Sequence, residues 1–117
     1  MLGAHLLDKN REIIITLANS ENLWKRRISI VATWYFIKKN DLDYTFKIAS
    51  ILLNDNHDLI HKAVGWMLRE AGKKDHHKLM RFLDIYALNM PRTMLRYSIE
   101  KFPEALRKNY LLRKTEQ

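Results

Sequence analysis

Leu17-Ala18-Asn19-Ser20-Glu21-Asn22 recurs 35 residues later as Leu52-Leu53-Asn54-Asp55-Asn56-His57. The same offset of 35 carries Arg26-Arg27-Ile28 onto His61-Lys62-Ala63, and Lys38-Lys39 onto Lys73-Lys74. A weaker third copy, at an offset of 31, puts Arg92-Thr93-Met94 under His61-Lys62-Ala63 and Tyr97 under Trp66. Between these landmarks the apolar residues follow helical spacing. Ile28, Val31, Ala32, Tyr35 and Phe36 recur at i, i+3, i+4, i+7 and i+8, as do Ile60, Ala63, Val64, Met67 and Ala71. Leu79, Phe82, Leu83 and Tyr86 continue the pattern. A repeat of 30–45 residues, each copy two helices and no strand, predicts an all-α solenoid of HEAT-like pairs with about three repeats and roughly seven helices. A plain helical bundle is the alternative.

Start and stop signals divide the chain further. Asp8, Ser20 or Asn22, Asp41, Asp55 and Asp75 each precede a periodic run, as N-caps do. Pro91 and Pro103 suit the first turn of a helix, and Gly72 stands where a helix over 57–71 should end. The expected helices are 9–18, 23–38, 42–53, 57–71, 75–87, 91–101 and 103–110. The repeat domain is read as residues 1–111, with 112–117 as a frayed tail.

Composition narrows the function. The 117 residues carry 21 Lys plus Arg against 13 Asp plus Glu, a net charge of +8. Such a balance on a small domain favours a polyanionic partner, nucleic acid first, with a merely solvated basic surface as the other reading. There is no Cys, which excludes disulfides, thiolate metal sites and Cys nucleophiles. With 3 Gly there is no glycine-rich phosphate loop. No apolar run is long enough for a transmembrane helix, and the N-terminus does not read as a secretory signal. A reducing, cytoplasmic setting fits.

The repeat aligns Arg26, His61 and Arg92 in one column, with Arg27 and Lys62 beside it. These residues open the second helix of each pair, the helix that usually lines a solenoid's concave face. A basic column there would track a phosphate backbone. Cations at a helix start oppose the macrodipole, so mere decoration is the less comfortable explanation. On the helix that follows His57, Lys62, Trp66 and Arg69 form an i, i+4, i+7 stripe away from the apolar face. An aromatic ring between two cations can pack on a sugar or base while the cations hold phosphates, though a Trp can equally pack on a neighbouring repeat. Gly65 beside it, costly in mid-helix, suggests a close backbone approach. Trp24 is expected in the core, and Trp34 to face a groove or the next repeat. His57 and His61 are i, i+4 but lack a third ligand, so no metal is expected. Glu70, Glu100 and Glu104 read as helix-surface ion pairs.

The run Asn22-Leu23-Trp24-Lys25-Arg26-Arg27-Ile28, then Ile60-His61-Lys62-Ala63-Val64-Gly65-Trp66-Met67-Leu68-Arg69-Glu70, then Pro91-Arg92-Thr93-Met94-Leu95-Arg96-Tyr97, resembles the AlkD-like DNA alkylation repair family across essentially residues 1–111. Members are HEAT-like repeat DNA glycosylases. The resemblance implies excision of cationic N3- or N7-alkylated purines from duplex DNA, without drawing the base into a pocket. Two Trp side chains and one Asp sit against the lesion's deoxyribose, and the carboxylate stabilises the developing oxocarbenium charge. Trp66 matches one of those tryptophans. Arg27 and Arg69 match phosphate-holding positions, while Lys62, Arg92 and Arg26 are further contacts by repeat position.

The family's other Trp and its Asp belong to a segment that would precede Met1; Asp8 follows that segment. The chain is thus expected to correspond to the C-terminal half of the family domain and to lack the carboxylate. The implied partner is alkylated duplex DNA in a nucleoid-associated, cytoplasmic setting, with no cofactor and no membrane. A separate chain bearing the N-terminal half, or self-association, would cover the unfilled end. A non-catalytic duplex-DNA-binding HEAT module and a HEAT-type protein–protein scaffold are the alternatives.

Overall fold

The computed structural model describes residues 12–113. Among them the chain forms α1 (Glu12–Ala18), α2 (Leu23–Val31), α3 (Trp34–Lys38), α4 (Asp43–Leu52), α5 (Asp58–Lys74), α6 (His76–Tyr86), a 3-10 turn (Ala87–Asn89), α7 (Arg92–Ser98) and α8 (Glu104–Leu112), with no strand. The all-α, solenoid-like expectation holds. The second helices of successive pairs, α2, α5 and α7, pack side by side with α5 between its neighbours. The first helices lie against them, α1 on α2, α4 and α6 on α5. Phe46 of α4 meets Phe82 of α6 with ring centroids 5.3 Å apart, which closes the outer layer. The expected face of α5 is the buried one: Ile60, Ala63, Val64, Met67 and Ala71 are all in the core, each large side chain stabilising by about 1.5–3 kcal/mol.

The caps agree in part. Asn22 accepts hydrogen bonds from the backbone N–H groups of Trp24 and Lys25, and Asp75 accepts one from Lys78. Asp55 does not cap α5; His57 does, its ring accepting from the Leu59 N–H. Asp55 instead accepts from the His57 N–H at 2.9 Å and pairs with Arg26. Nor does Asp41 cap α4, which starts after Leu42 without a side-chain cap. Asp41 completes the end of α3, its N–H donating to Phe36 O while Asn40 N–H donates to Ile37 O. Asn40 takes φ 65° there, the left-handed position that ends a helix in a Schellman motif. Asp8 and residues 114–117 lie outside the described residues.

Three helix boundaries depart from expectation, one of them the helix over 91–101, which ends at Ser98. The helix over 23–38 is broken at Ala32–Thr33 into α2 and α3. There the buried Thr33 hydroxyl donates to Ile30 O at 2.6 Å, and its backbone N–H bonds the same carbonyl. Such hydroxyl back-bonding competes with the regular ladder and bends helices. The break also re-registers the buried face. Ser29, Ile30, Thr33, Phe36 and Ile37 are buried, whereas Ile28 is 42% exposed and Trp24 60% exposed. Trp24 is therefore a surface residue, not core. Ser29, like Thr33, satisfies its hydroxyl on the carbonyl three residues back, so both polar side chains can be buried cheaply. Gly72 likewise does not end α5, which continues to Lys74. A Cβ there would stand 2.4 Å from Leu79 Cδ2, so a larger residue would require the Leu79 side chain to shift.

Gly65 is the tighter constraint. A Cβ there would meet Tyr97 Cβ at 2.5 Å and Met94 O at 2.7 Å. The close approach expected from a mid-helix glycine is the crossing of α5 and α7. Gly65→Ala gains about 1 kcal/mol of helix propensity but forces two backbones apart, an overpacking cost of about 1–3 kcal/mol or more. We expect a net loss of stability in urea unfolding, visible as a lower midpoint at unchanged slope.

The last helix is tied by a polar clamp. Tyr110, buried on α8, donates its hydroxyl to Asp84 Oδ1 at 2.9 Å, and Arg113 Nη1 reaches the same oxygen at 3.0 Å while stacking over the Tyr110 ring. The hydrogen bond from Arg113, assisted by that from Tyr110, holds the Asp84 carboxyl below its ordinary value. A depressed carboxylate stabilises above its unfolded value and loses that contribution as pH falls through its folded one. Asp84→Asn should therefore cost less than about 1 kcal/mol near neutral pH, since the group is largely exposed. The difference from wild type should begin to shrink as pH falls through about 4 and vanish only below the depressed value of the folded Asp84 carboxyl, as read in thermal melts.

Candidate nucleic-acid interface

The stripe Lys62, Trp66, Arg69 leaves α5 on the side opposite its core face, and α2 and α7 supply the walls. Arg27 from α2, Lys62, Trp66 and Arg69 from α5 and Tyr97 from α7 line one open cleft of about 310 Å³, with Leu59 and Ala63 as its apolar floor. Trp66 and Tyr97 are each 38% exposed, each presenting part of a ring to solvent. Three cations and two aromatic rings face the cleft, and no carboxylate is among its described lining residues. The sequence places Arg27, Lys62, Trp66 and Arg69 as site residues, and all four lie here. Tyr97 is the residue that sequence reasoning passed over. Its signal is the offset of 31 that sets it under Trp66.

The cations are held differently. Lys62 pairs with Asp58 at 3.1 Å, one turn back on the same helix, both exposed. The hydrogen bond and charge of Asp58 raise the Lys62 ammonium above its ordinary value, keeping it charged. Arg69 donates from Nη1 to Glu100 across the helix crossing. Its Nε stands 3.4 Å from Glu70 Oε2 without hydrogen-bond geometry. The Lys62–Asp58 pair is exposed and screened by solvent, so an incoming phosphate can displace or share it at small cost, whereas Arg69 is half-buried between Glu70 and Glu100.

Two of the basic residues expected on the DNA face serve the fold. Arg26 Nε lies 2.6 Å from Asp55 Oδ2, and its Nη1 donates to the carbonyls of Ser20 and Glu21. His61, its repeat equivalent, bonds the Asp55 backbone carbonyl. Arg26 and His61 are thus stacked as the repeat implies, but they converge on Asp55 and lock the α1–α2 turn to the α4–α5 turn. Arg92 Nη1 donates to Leu111 O at 2.7 Å, satisfying a carbonyl near the C-terminus of α8. Neither lines the cleft. His57 and His61 are both engaged with backbone groups. Glu104 pairs with Lys108 on the helix surface as expected; Glu70 pairs with Lys73 on its own helix but is largely buried, and Glu100, in the turn after α7, reaches across to Arg69 of α5. Trp34 is 37% exposed and is not among the cleft residues. No described helix is long and apolar enough to cross a membrane.

No curated protein and no solved structure matches the chain. A family model described as DNA alkylation repair enzyme matches residues 1–102. That span holds every helix that builds the cleft, together with the whole repeated motif run on which the resemblance rests. The chain belongs to the DNA alkylation repair enzyme family.

Proposed function

We propose that this chain grips the backbone of alkylated duplex DNA in the Trp66 cleft and acts in the release of N3- or N7-alkylated purines. The observation that carries the reading is the convergence of Arg27, Lys62 and Arg69 around Trp66 and Tyr97 in one open cleft. Guanidinium and ammonium groups neutralise phosphates, and the exposed indole offers a flat apolar face to the deoxyribose between them. An N3- or N7-alkylated purine carries a positive charge and leaves readily, so the protein need only stabilise the sugar's developing cation. HEAT-like pairing, which the repeat period supports, presents the cleft on the concave side. No cofactor is required by this chemistry.

A specific observation favours a second reading, a duplex-binding module without catalysis. The described cleft carries cations but no carboxylate to face an oxocarbenium ion. The two readings separate on base release from duplex DNA containing 7-methylguanine. Under the first, the purified chain releases base above the spontaneous rate. Trp66→Ala then lowers that rate by roughly 5- to 150-fold, the equivalent of a stacking contact of about 1–3 kcal/mol. Release at the spontaneous rate with binding intact selects the second.

Binding itself makes a sharper demand. The logarithm of affinity should fall linearly with that of salt concentration, and Arg27→Gln should shrink the slope by about one unit. Asp58→Asn should do the opposite to affinity. It frees Lys62 from its partner and removes a negative charge beside the cleft, so duplex binding tightens by roughly 2- to 5-fold. An unchanged slope for Arg27→Gln would count against the cleft as the DNA contact.

A further inference from the structure

The basic stripe of α5 does not stop at Arg69. Lys62, Trp66, Arg69 and Lys73 fall at i, i+4, i+7 and i+11, one face of one helix. At about 1.5 Å per residue this face runs roughly 16 Å, the axial span of about five phosphates of one DNA strand. Beyond Arg69 lies a second cavity of about 270 Å³, lined by Arg69, Lys73, His76 and Lys101 against the apolar Leu79 and Phe102. Arg69 lines both cavities and so forms their common wall.

Four segments converge on this second cavity: α5, α6, the end of α7 at Ser98, and the turn after it. Lys73 projects from the last turn of α5, His76 opens α6, and Lys101 stands in the turn between α7 and α8. The His76 ring is fixed edge-on against Phe102, with centroids 4.8 Å apart. Lys73 is anchored by Glu70 at 3.1 Å. Among the described residues Lys101 has no ion pair or side-chain hydrogen bond, although it is exposed beside Glu100, itself engaged with Arg69. A cavity with three cationic side chains, a ring nitrogen and an apolar floor, and with no carboxylate among its described lining residues, fits a tetrahedral anion that competes with Glu70 and Glu100 for Lys73 and Arg69 and meets Lys101 directly.

We propose that this second cavity is a phosphate subsite, taking a backbone phosphate of the same strand whose deoxyribose meets Trp66, a few nucleotides away. The inference rests on the DNA-gripping reading of the Trp66 cleft and extends its footprint along α5. Arg69 is the shared contact. Lys101, like Lys73 and His76, lines the subsite and not the cleft.

The test is the salt dependence of duplex binding by the full chain, compared for wild type, Arg27→Gln, Lys101→Gln and Lys101→Glu. Both Lys101 variants alter an exposed side chain and should melt as wild type does. Lys101→Gln is expected to reduce the slope by about one unit. Lys101→Glu should weaken binding further, and both effects should disappear on a duplex shortened at the end that reaches the subsite. A slope changed by Arg27→Gln but not by either Lys101 variant overturns the subsite and leaves the cleft standing. Absence of duplex binding by the wild type overturns both. Calorimetric binding of inorganic phosphate, lost in Lys101→Glu but accompanied by no Lys101 effect on duplex binding, would identify a free-phosphate site and overturn the DNA assignment.

Discussion

The geometry of the candidate site hangs on the contact at Gly65. Because that residue has no side chain, the carbonyl of Met94 and the Cβ of Tyr97 lie directly on the backbone of α5. The crossing brings Tyr97 beside Trp66 and lets Glu100 reach Arg69. A methyl group in that place would open the crossing and separate the two rings that flank the cleft. The energetic cost of glycine in a helix, about 1 kcal/mol, is thus offset by the packing it permits and by the site it assembles.

Adjacent arginines show how position decides the use of a charge. Arg26 and Arg27 are neighbours in sequence but point about 100° apart around α2. Arg26 is drawn inward to Asp55, whose side chain is nearly buried, and ties two inter-helix turns together. Removing either member of such a pair leaves the other charge poorly solvated, which makes it structural. Arg27 faces the cleft, where solvent screens its field and a phosphate can compete for it. The same division separates Arg92, spent on a helix terminus, from Arg69, shared between two exposed cavities.

Much of this was legible in the sequence because repeat and period are one-dimensional properties. The offset of 35 found the helical pairs, and the i, i+4, i+7 stripe found Lys62, Trp66 and Arg69 together. Gly65 was legible through its cost. What escaped were features set by partners far along the chain. Nothing near Arg26 or Arg92 announces Asp55 or the carbonyl of Leu111 as their destinations. The buried face over α2 and the break that follows it departs from the hydropathy pattern because that pattern counts Ser29 and Thr33 as polar, whereas both hydroxyls are satisfied on carbonyls of α2. Trp24 was misplaced by the same slip in register. Tyr97 was visible in the third repeat only through its alignment with Trp66.

The central helix has a consequence for how the family can diversify. One face of α5 carries Ile60, Val64, Met67 and Leu68 into the core, while Lys62, Trp66, Arg69 and Lys73 stand on the other. Side chains that hold the helices together and the cations and rings of the candidate site therefore occupy separate arcs of one rigid rod. Substitution on the outer arc leaves the buried seams intact, so the surface that the cleft presents can change without endangering folding. Among the described residues, Gly65 is the position where one atom more would alter both the packing of two helices and the spacing of the rings that flank the cleft.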